Sequence, residues 1–294
     1  MIQMRKILAI LCAVLIALPI GTGLAEIERH VLLDETFMML EKGNLFVRRY
    51  NDITGAEIDP WFELGVPYFF GGGSAGPSFL VNYPEYRQMN SWQNGGGFKK
   101  ENLYLLGLDC RGYMNYVFGK LGYELLVPLQ DVFLDPVHRQ HFIYSHREGM
   151  NVPNDWEEVA RNLQIGDLLV AAGESRHVMM FIGTLADYGF TAEEEPALAN
   201  YLHYPLVIHS SPNPQVNERF INLIETTPLY ENCSPPSGGV AVSIIGVPLE
   251  AGEYLGNVGK AHYYGFRLDE GDKLEMTIWD FSKAVYYAWY RKPQ

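Results

Sequence analysis

Apolar positions along the chain change their spacing part-way through. Between Leu33 and Tyr50 they recur near helical intervals, at Leu33, Phe37, Leu40, Val47 and Tyr50. That predicts one helix, weakened at Gly43-Asn44. The strongest helical pattern runs from Asp109 to Leu121, with Tyr113, Met114, Val117, Phe118 and Leu121 on one face. Asp109 suits the N-cap and Gly122 the stop. Later segments are short apolar runs: Asp167 to Val170, His177 to Ile182, Leu206 to His209, Tyr263 to Leu268, Leu274 to Trp279 and Val285 to Tyr290. Turn-forming clusters such as Gly173-Glu174-Ser175, Asp269-Glu270-Gly271-Asp272 and Ser282-Lys283 separate them, which predicts strands. Helix first and strands afterwards predicts an α+β fold, with N-terminal helices packed on an antiparallel sheet.

Three stretches break the pattern. Residues 184–205 read as an insertion, with Thr191-Ala192-Glu193-Glu194 as a capping box that opens a short helix. Residues 228–248, with Pro235-Pro236 and Gly238-Gly239, read as a second insertion in loop form. Gly71-Gly72-Gly73 and Gly95-Gly96-Gly97 bracket an irregular segment rich in aromatics, Pro and Asn. No repeat, linker or low-complexity tract divides the chain, so a single domain is expected.

Composition narrows the function. With 294 residues, 48% hydrophobic and 13% aromatic, the chain can bury a sizeable core and is not a disordered sequence. A net charge of −13 makes it a poor partner for a phosphate backbone, so no nucleic acid is expected. Three cysteines are too few for a disulfide-stapled scaffold. The N-terminus carries Arg5 and Lys6, an uncharged apolar run from Ile7 to Ile20, and Thr22-Gly23-Leu24-Ala25. This is the pattern of a signal peptide over residues 1–25, cut after Ala25. The alternative is a retained anchor, but the run is shorter than the roughly 20 residues that span a bilayer. Cys12, preceded by the bulky Leu11, does not suit lipid attachment. A secreted protein over 26–294 is expected, with no stable membrane insertion once the signal is removed. Disulfides can form there. Cys110 and Cys233 either pair, or Cys110 is a reactive thiol and Cys233 is incidental.

Cys110 stands at the start of the best helix, where the dipole and free backbone N–H groups favour a thiolate. A thiolate nucleophile needs a base and a group to orient that base. His177 begins one strand and His209 ends the next. If these strands pair antiparallel across residues 184–205, the two imidazoles meet. One can accept the thiol proton while the other fixes its tautomer. His138, His141 and His146 form a competing cluster, but they lack nearby Cys ligands and lie in a Pro-flanked, exposed-looking stretch, so no metal is expected. The Gly triplets lack the phosphate-cradling pattern. Acidic residues are plentiful, yet no carboxylate pair is marked out by its neighbours. No cofactor is expected.

Five segments carry a family resemblance: Gly65-Val66-Pro67-Tyr68-Phe69-Phe70-Gly71-Gly72, Leu108-Asp109-Cys110-Arg111-Gly112-Tyr113, Leu163-Gln164-Ile165-Gly166-Asp167-Leu168-Leu169, His177-Val178-Met179-Met180-Phe181-Ile182-Gly183 and Val207-Ile208-His209-Ser210. In this order they resemble the motifs of the NlpC family, papain-like cysteine peptidases that cut peptidoglycan stem peptides. The resemblance implies a papain-like fold with Cys110 as nucleophile, His177 as general base and His209 as its orienting residue. It places Tyr68 beside the nucleophile and Asp109 at the free amine of a stem peptide. It implies oxyanion stabilisation by the Cys110 N–H. Two positions depart from the family. Arg111 replaces the usual Ser, which bears on substrate recognition. Residues 184–205 replace a short turn, which suggests a lid or subsite. Other reactions on the same scaffold are an amidase or an acyl transferase. A wall-peptide binding protein without turnover is the alternative from another class.

Overall fold

The computed structural model describes residues 20–60, 65–66, 68, 108–122, 139–145, 153, 155–173, 177–212, 238–247, 263–268, 274–279 and 284–291. Most of the expected signal segment, both Gly triplets, His138, His146 and Cys233 lie outside them. Among the described residues there are four α-helices: α1 (Ile20–Phe37), α2 (Leu45–Thr54), α3 (Cys110–Lys120) and α4 (Trp156–Asn162). The strands are β1 (Phe142–Ser145), β2 (Leu168–Gly173), β3 (His177–Gly183), β4 (Leu206–Pro212), β5 (Gly238–Ile245), β6 (Tyr263–Leu268), β7 (Leu274–Trp279) and β8 (Ala284–Tyr290). They form one sheet in the order β1-β8-β2-β3-β4-β5-β6-β7, every pairing antiparallel. The fold is α+β, as the order of helical and strand patterns predicts.

The central strands read as nearly unbroken apolar runs because both faces of the sheet are covered. Alternation sends Val178, Met180, Ile182, Leu206, Ile208, Val242 and Ile244 into a core with α1, α2 and α3. It sends Leu169, Met179, Phe181, Val207 and Trp289 to the opposite face, where α4 covers them with Trp156, Val159, Ala160 and Leu163. The last strand does not stay at the edge. β8 lies between β1 and β2. Arg291, just past it, grips the buried Asp167 with two bonds, Nε to Oδ1 at 2.9 Å and Nη2 to Oδ2 at 2.7 Å.

Several elements differ from the expected ones. The single helix over Leu33 to Tyr50 is two helices. Gly43 adopts φ 72°, and the Asn44 side chain accepts the Phe46 N–H at 2.9 Å, so the chain restarts as α2. The 228–248 segment is not a loop throughout, because residues 238–245 form β5 well inside the sheet. Val240, Val242 and Ile244 alternate there with Ala241 and Ser243. Helix α4 and strand β1, seven and four residues long, are additions, too short for a distinctive pattern. In the 184–205 insertion, Thr191 Oγ1 does accept the Glu194 N–H at 3.2 Å. No α-helix follows, and 3₁₀ turns form at Ala186–Tyr188 and Pro196–Tyr201 instead.

That insertion is also not beside the expected site. Arg49 of α2 pairs with Glu194 at 3.3 Å, donates to the Gly189 carbonyl at 3.5 Å and lies over the Phe190 ring. The segment is therefore fastened to the N-terminal helices at the Gly183 end of β3, remote from His177.

Gly246, directly after β5, has φ 94°, and a Cβ there would overlap the Trp156 ring. Gly246→Ala is expected to cost roughly 2–4 kcal/mol from backbone strain and overpacking. Gly55→Ala, at φ 73° in open space, is expected to cost roughly 1 kcal/mol. Urea unfolding of the two variants checks the difference; equal losses would contradict the packing of α4 on the sheet.

Candidate active site

Helix α3 brings the thiol to the sheet. Asp109 is its N-cap, with Oδ1 accepting the Gly112 N–H at 2.7 Å. Tyr113, Met114, Val117 and Phe118 are buried against α1 and the sheet, and the Tyr113 hydroxyl donates to the Thr36 carbonyl at 3.2 Å. This leaves Cys110, the first helical residue, half-buried with a free thiol. Just upstream, Leu108 forms an isolated parallel bridge with Tyr68, which is itself half-buried. The bridge thus sets the backbone of Tyr68 beside the segment that leads into the thiol.

The sheet receives that stretch where two strands part. Pairing between β3 and β4 runs from Gly183↔Leu206 to Met180↔Ile208 and goes no further. Beyond it, backbone groups of both strands need other partners. The Ser210 hydroxyl donates to the Leu108 carbonyl at 2.6 Å. The Val178 N–H is turned toward Cys110 Sγ, as are the N–H groups of Arg111 and of Cys110 itself. The sulfur therefore sits beside the peptide that joins His177 to Val178.

On this part of the sheet His177 and His209 share a hydrogen bond of 2.9 Å, Nε2 to Nδ1, with the rings edge to face. His209 is fully buried, and its Nε2 lies 2.8 Å from the Ser243 hydroxyl of β5, which is also fully buried. The antiparallel pairing expected across residues 184–205 is present, and it brings the two rings together. Ser243 was not legible as a site residue because it falls in the stretch read as a loop. The alternating run Val240-Ala241-Val242-Ser243-Ile244 was the signal that could have found it. Ser210 stands in the Val207-Ile208-His209-Ser210 motif without a role of its own, because its part is to hold the backbone before Cys110.

Burial sets the protonation states. It pushes the Cys110 thiol up to about 12; the negative charge of Asp109 adds to this, and the three N–H groups oppose it with less effect. The thiolate expected from the helix dipole is therefore not the resting form. Desolvation pulls His177 down to about 3 and holds His209 well below the ordinary imidazole value, the latter also through repulsion from its neighbour. At neutral pH the site holds a thiol and two neutral rings.

Of the remaining predicted positions, Asp109 and Arg111 flank the thiol in the chain, and His141 stands apart at the β1 edge of the sheet. Arg111 is exposed on the first turn of α3 and, among the described residues, makes no ion pair. Asp109 commits one carboxylate oxygen to the helix cap. His141 precedes β1, and its carbonyl accepts the Arg291 N–H at 3.0 Å. Among the described residues no group of three or more His, Cys, Asp or Glu is placed to hold a metal ion. No described helix is long and apolar enough to cross a membrane.

No family model, curated protein or solved structure matches this chain.

The buried rings make stability depend on pH. On unfolding they regain the ordinary proton affinity near 6.5. Between that value and about 3 the unfolded chain binds more protons, so stability is full above pH 6.5 and falls as pH drops. A slope of roughly 1 kcal/mol per pH unit for each ring, about 2 for the pair, is expected. Urea melts from pH 7 to pH 5 should show it, and a His177→Gln/His209→Gln double variant should show a shallower decline. Parallel declines would contradict the burial of neutral imidazoles.

Proposed function

We propose that this chain is a secreted cysteine peptidase that hydrolyses amide bonds in peptidoglycan stem peptides. One observation carries the reading: Cys110 heads a helix, and its sulfur lies against the first peptide of β3. The imidazole at that peptide, His177, is backed by a second buried imidazole. A thiol at a helix start, held on an antiparallel sheet that bears the base, fits a papain-like catalytic domain. The ordered motifs around Tyr68, Cys110, Asp167, His177 and His209 supply the substrate class by their likeness to the NlpC family.

The chemistry follows from the resting states. Because the thiol is protonated, its proton must leave as the sulfur attacks the carbonyl carbon. The proton goes to Nδ1 of His177, since Nε2 is engaged by His209. The S–C bond forms, and the carbonyl oxygen takes negative charge near the Cys110 N–H. The C–N bond then breaks as His177 returns the proton to the leaving amine. Water, deprotonated by the same ring, releases the acyl group and restores the thiol. Tyr68 and Asp109 border the substrate, with one Asp109 oxygen left to meet an ammonium. The exposed Arg111 adds a cation that favours a substrate carboxylate or a blocked amine.

A second reading, a wall-peptide binder without turnover, is favoured by one feature: the thiol is held protonated rather than activated. Incubating the protein with purified peptidoglycan and weighing released fragments by mass spectrometry separates the two. The peptidase reading expects fragments whose ends define the cut bond. Cys110→Ala should lose at least about 10³-fold in rate. His177→Ala should lose roughly 10²–10⁴-fold, and His209→Gln should keep more activity than His209→Ala. Wall binding with no fragments from wild type would favour the binder.

A further inference from the structure

Ser243 closes a string of three buried side chains, and its position in it has chemical consequences. It lies on β5 between Val242 and Ile244, which face the helical core, so its hydroxyl is on the same side of the sheet as His209. Register pairs His209 with Ala241 and Val207 with Ser243, which makes Ser243 the diagonal neighbour of His209. The hydroxyl lies 2.8 Å from Nε2, and the next link, Nδ1 to Nε2 of His177, is 2.9 Å.

Each neutral imidazole carries one proton, and one proton lies between the rings. The tautomers of the two residues are therefore locked together. In one arrangement the protons sit on Nε2 of both: His177 donates to His209, His209 donates to Ser243, and Nδ1 of His177 is bare. In the other, Ser243 donates to His209, His209 donates to His177, and Nδ1 of His177 already holds a proton. Only the first can accept a proton from a thiol. A hydroxyl can serve either arrangement, because it both donates and accepts. Three features favour the first. Free histidine prefers the Nε2–H tautomer. Nδ1 is the ring nitrogen nearer the main chain, and the sulfur sits at the adjoining Val178 amide. That sulfur already has three N–H groups turned toward it and, as a thiol, is itself a donor that suits a bare nitrogen.

We propose that Ser243 is a positioning residue: by accepting the Nε2–H of His209 it fixes both imidazoles in the arrangement that leaves Nδ1 of His177 unprotonated. Its effect on turnover rests on Cys110 and His177 acting as nucleophile and base; its effect on the tautomers does not. Removing the hydroxyl strands a buried donor on His209, which is costlier than stranding a bare nitrogen, so the pair should turn over to the second arrangement.

Nitrogen-15 NMR of the two imidazoles in the full-length protein reads this directly. Wild type should show Nε2 protonated and Nδ1 bare in both rings. In Ser243→Ala the Nδ1 signal of His177 should move toward that of a protonated nitrogen, with kcat on a stem peptide down roughly 10-fold or more and KM within about twofold. Ser243→Thr, which keeps the hydroxyl, should restore both readouts. A wild-type signal from protonated Nδ1 of His177, which requires no variant to fold, would overturn the proposal. So would unchanged tautomers in Ser243→Ala, even if activity fell. Wild-type tautomers as expected and altered in Ser243→Ala, with no turnover by any form, would uphold the positioning and instead reject the peptidase reading.

Discussion

The ladder between β3 and β4 stops at Met180 and Ile208, and the site exists because it stops there. Paired strands satisfy their own backbone, leaving nothing for a third segment to bind. Where β3 and β4 part, the chain before α3 takes over: Ser210 holds the Leu108 carbonyl, and the Val178 amide meets the Cys110 sulfur. One interruption thus sets both the height of the helix on the sheet and the distance of the thiol from His177. The same backbone carries Tyr68 through its bridge to Leu108.

Burial decides the chemistry of this junction more than any local charge. The N-terminal end of α3 favours an anion, and the Asp109 carboxylate beside it does not. Desolvation, to which Asp109 adds, outweighs the helix end. The same force keeps His177 and His209 neutral and makes each ring nitrogen's partner matter, because an unpaired polar group at this depth is costly. A string of neutral groups satisfies that demand with no net charge to bury. Its directionality then depends on its last member, the Ser243 hydroxyl, two strands away from His177.

The rest of the molecule supports the junction from both faces. Helices α1 and α2 press on α3 and on the inner side of the sheet, while α4 seals the outer side. The 184–205 insertion extends the first of these layers, bound to α2 through Arg49, and so strengthens the end of β3 opposite the site. At the other edge Arg291 locks β8 beside β2, and β2 is the strand that pairs with His177 through Ala171.

Local chemistry was legible wherever a residue acts on its own neighbours. Asp109 had to cap a helix, and the apolar runs at 177–182 and 206–209 had to be strands, whereas the break at Gly43-Asn44 showed only as a weak point in one helix. From these came the α+β class, the position of Cys110 and the meeting of His177 with His209. Whatever depends on partners distant in sequence was not legible. Residues 238–245 look like loop between Pro and Gly, but they become a strand because β4 and β6 offer ladders on both sides. The 184–205 segment reads as a possible cover for the site until Arg49, far back in the chain, claims it. Ser243 has no motif of its own, and its place beside His209 comes from strand register alone. Protonation was misread for the same reason. A helix start is visible in sequence, but the depth at which it lies is set by every layer packed around it.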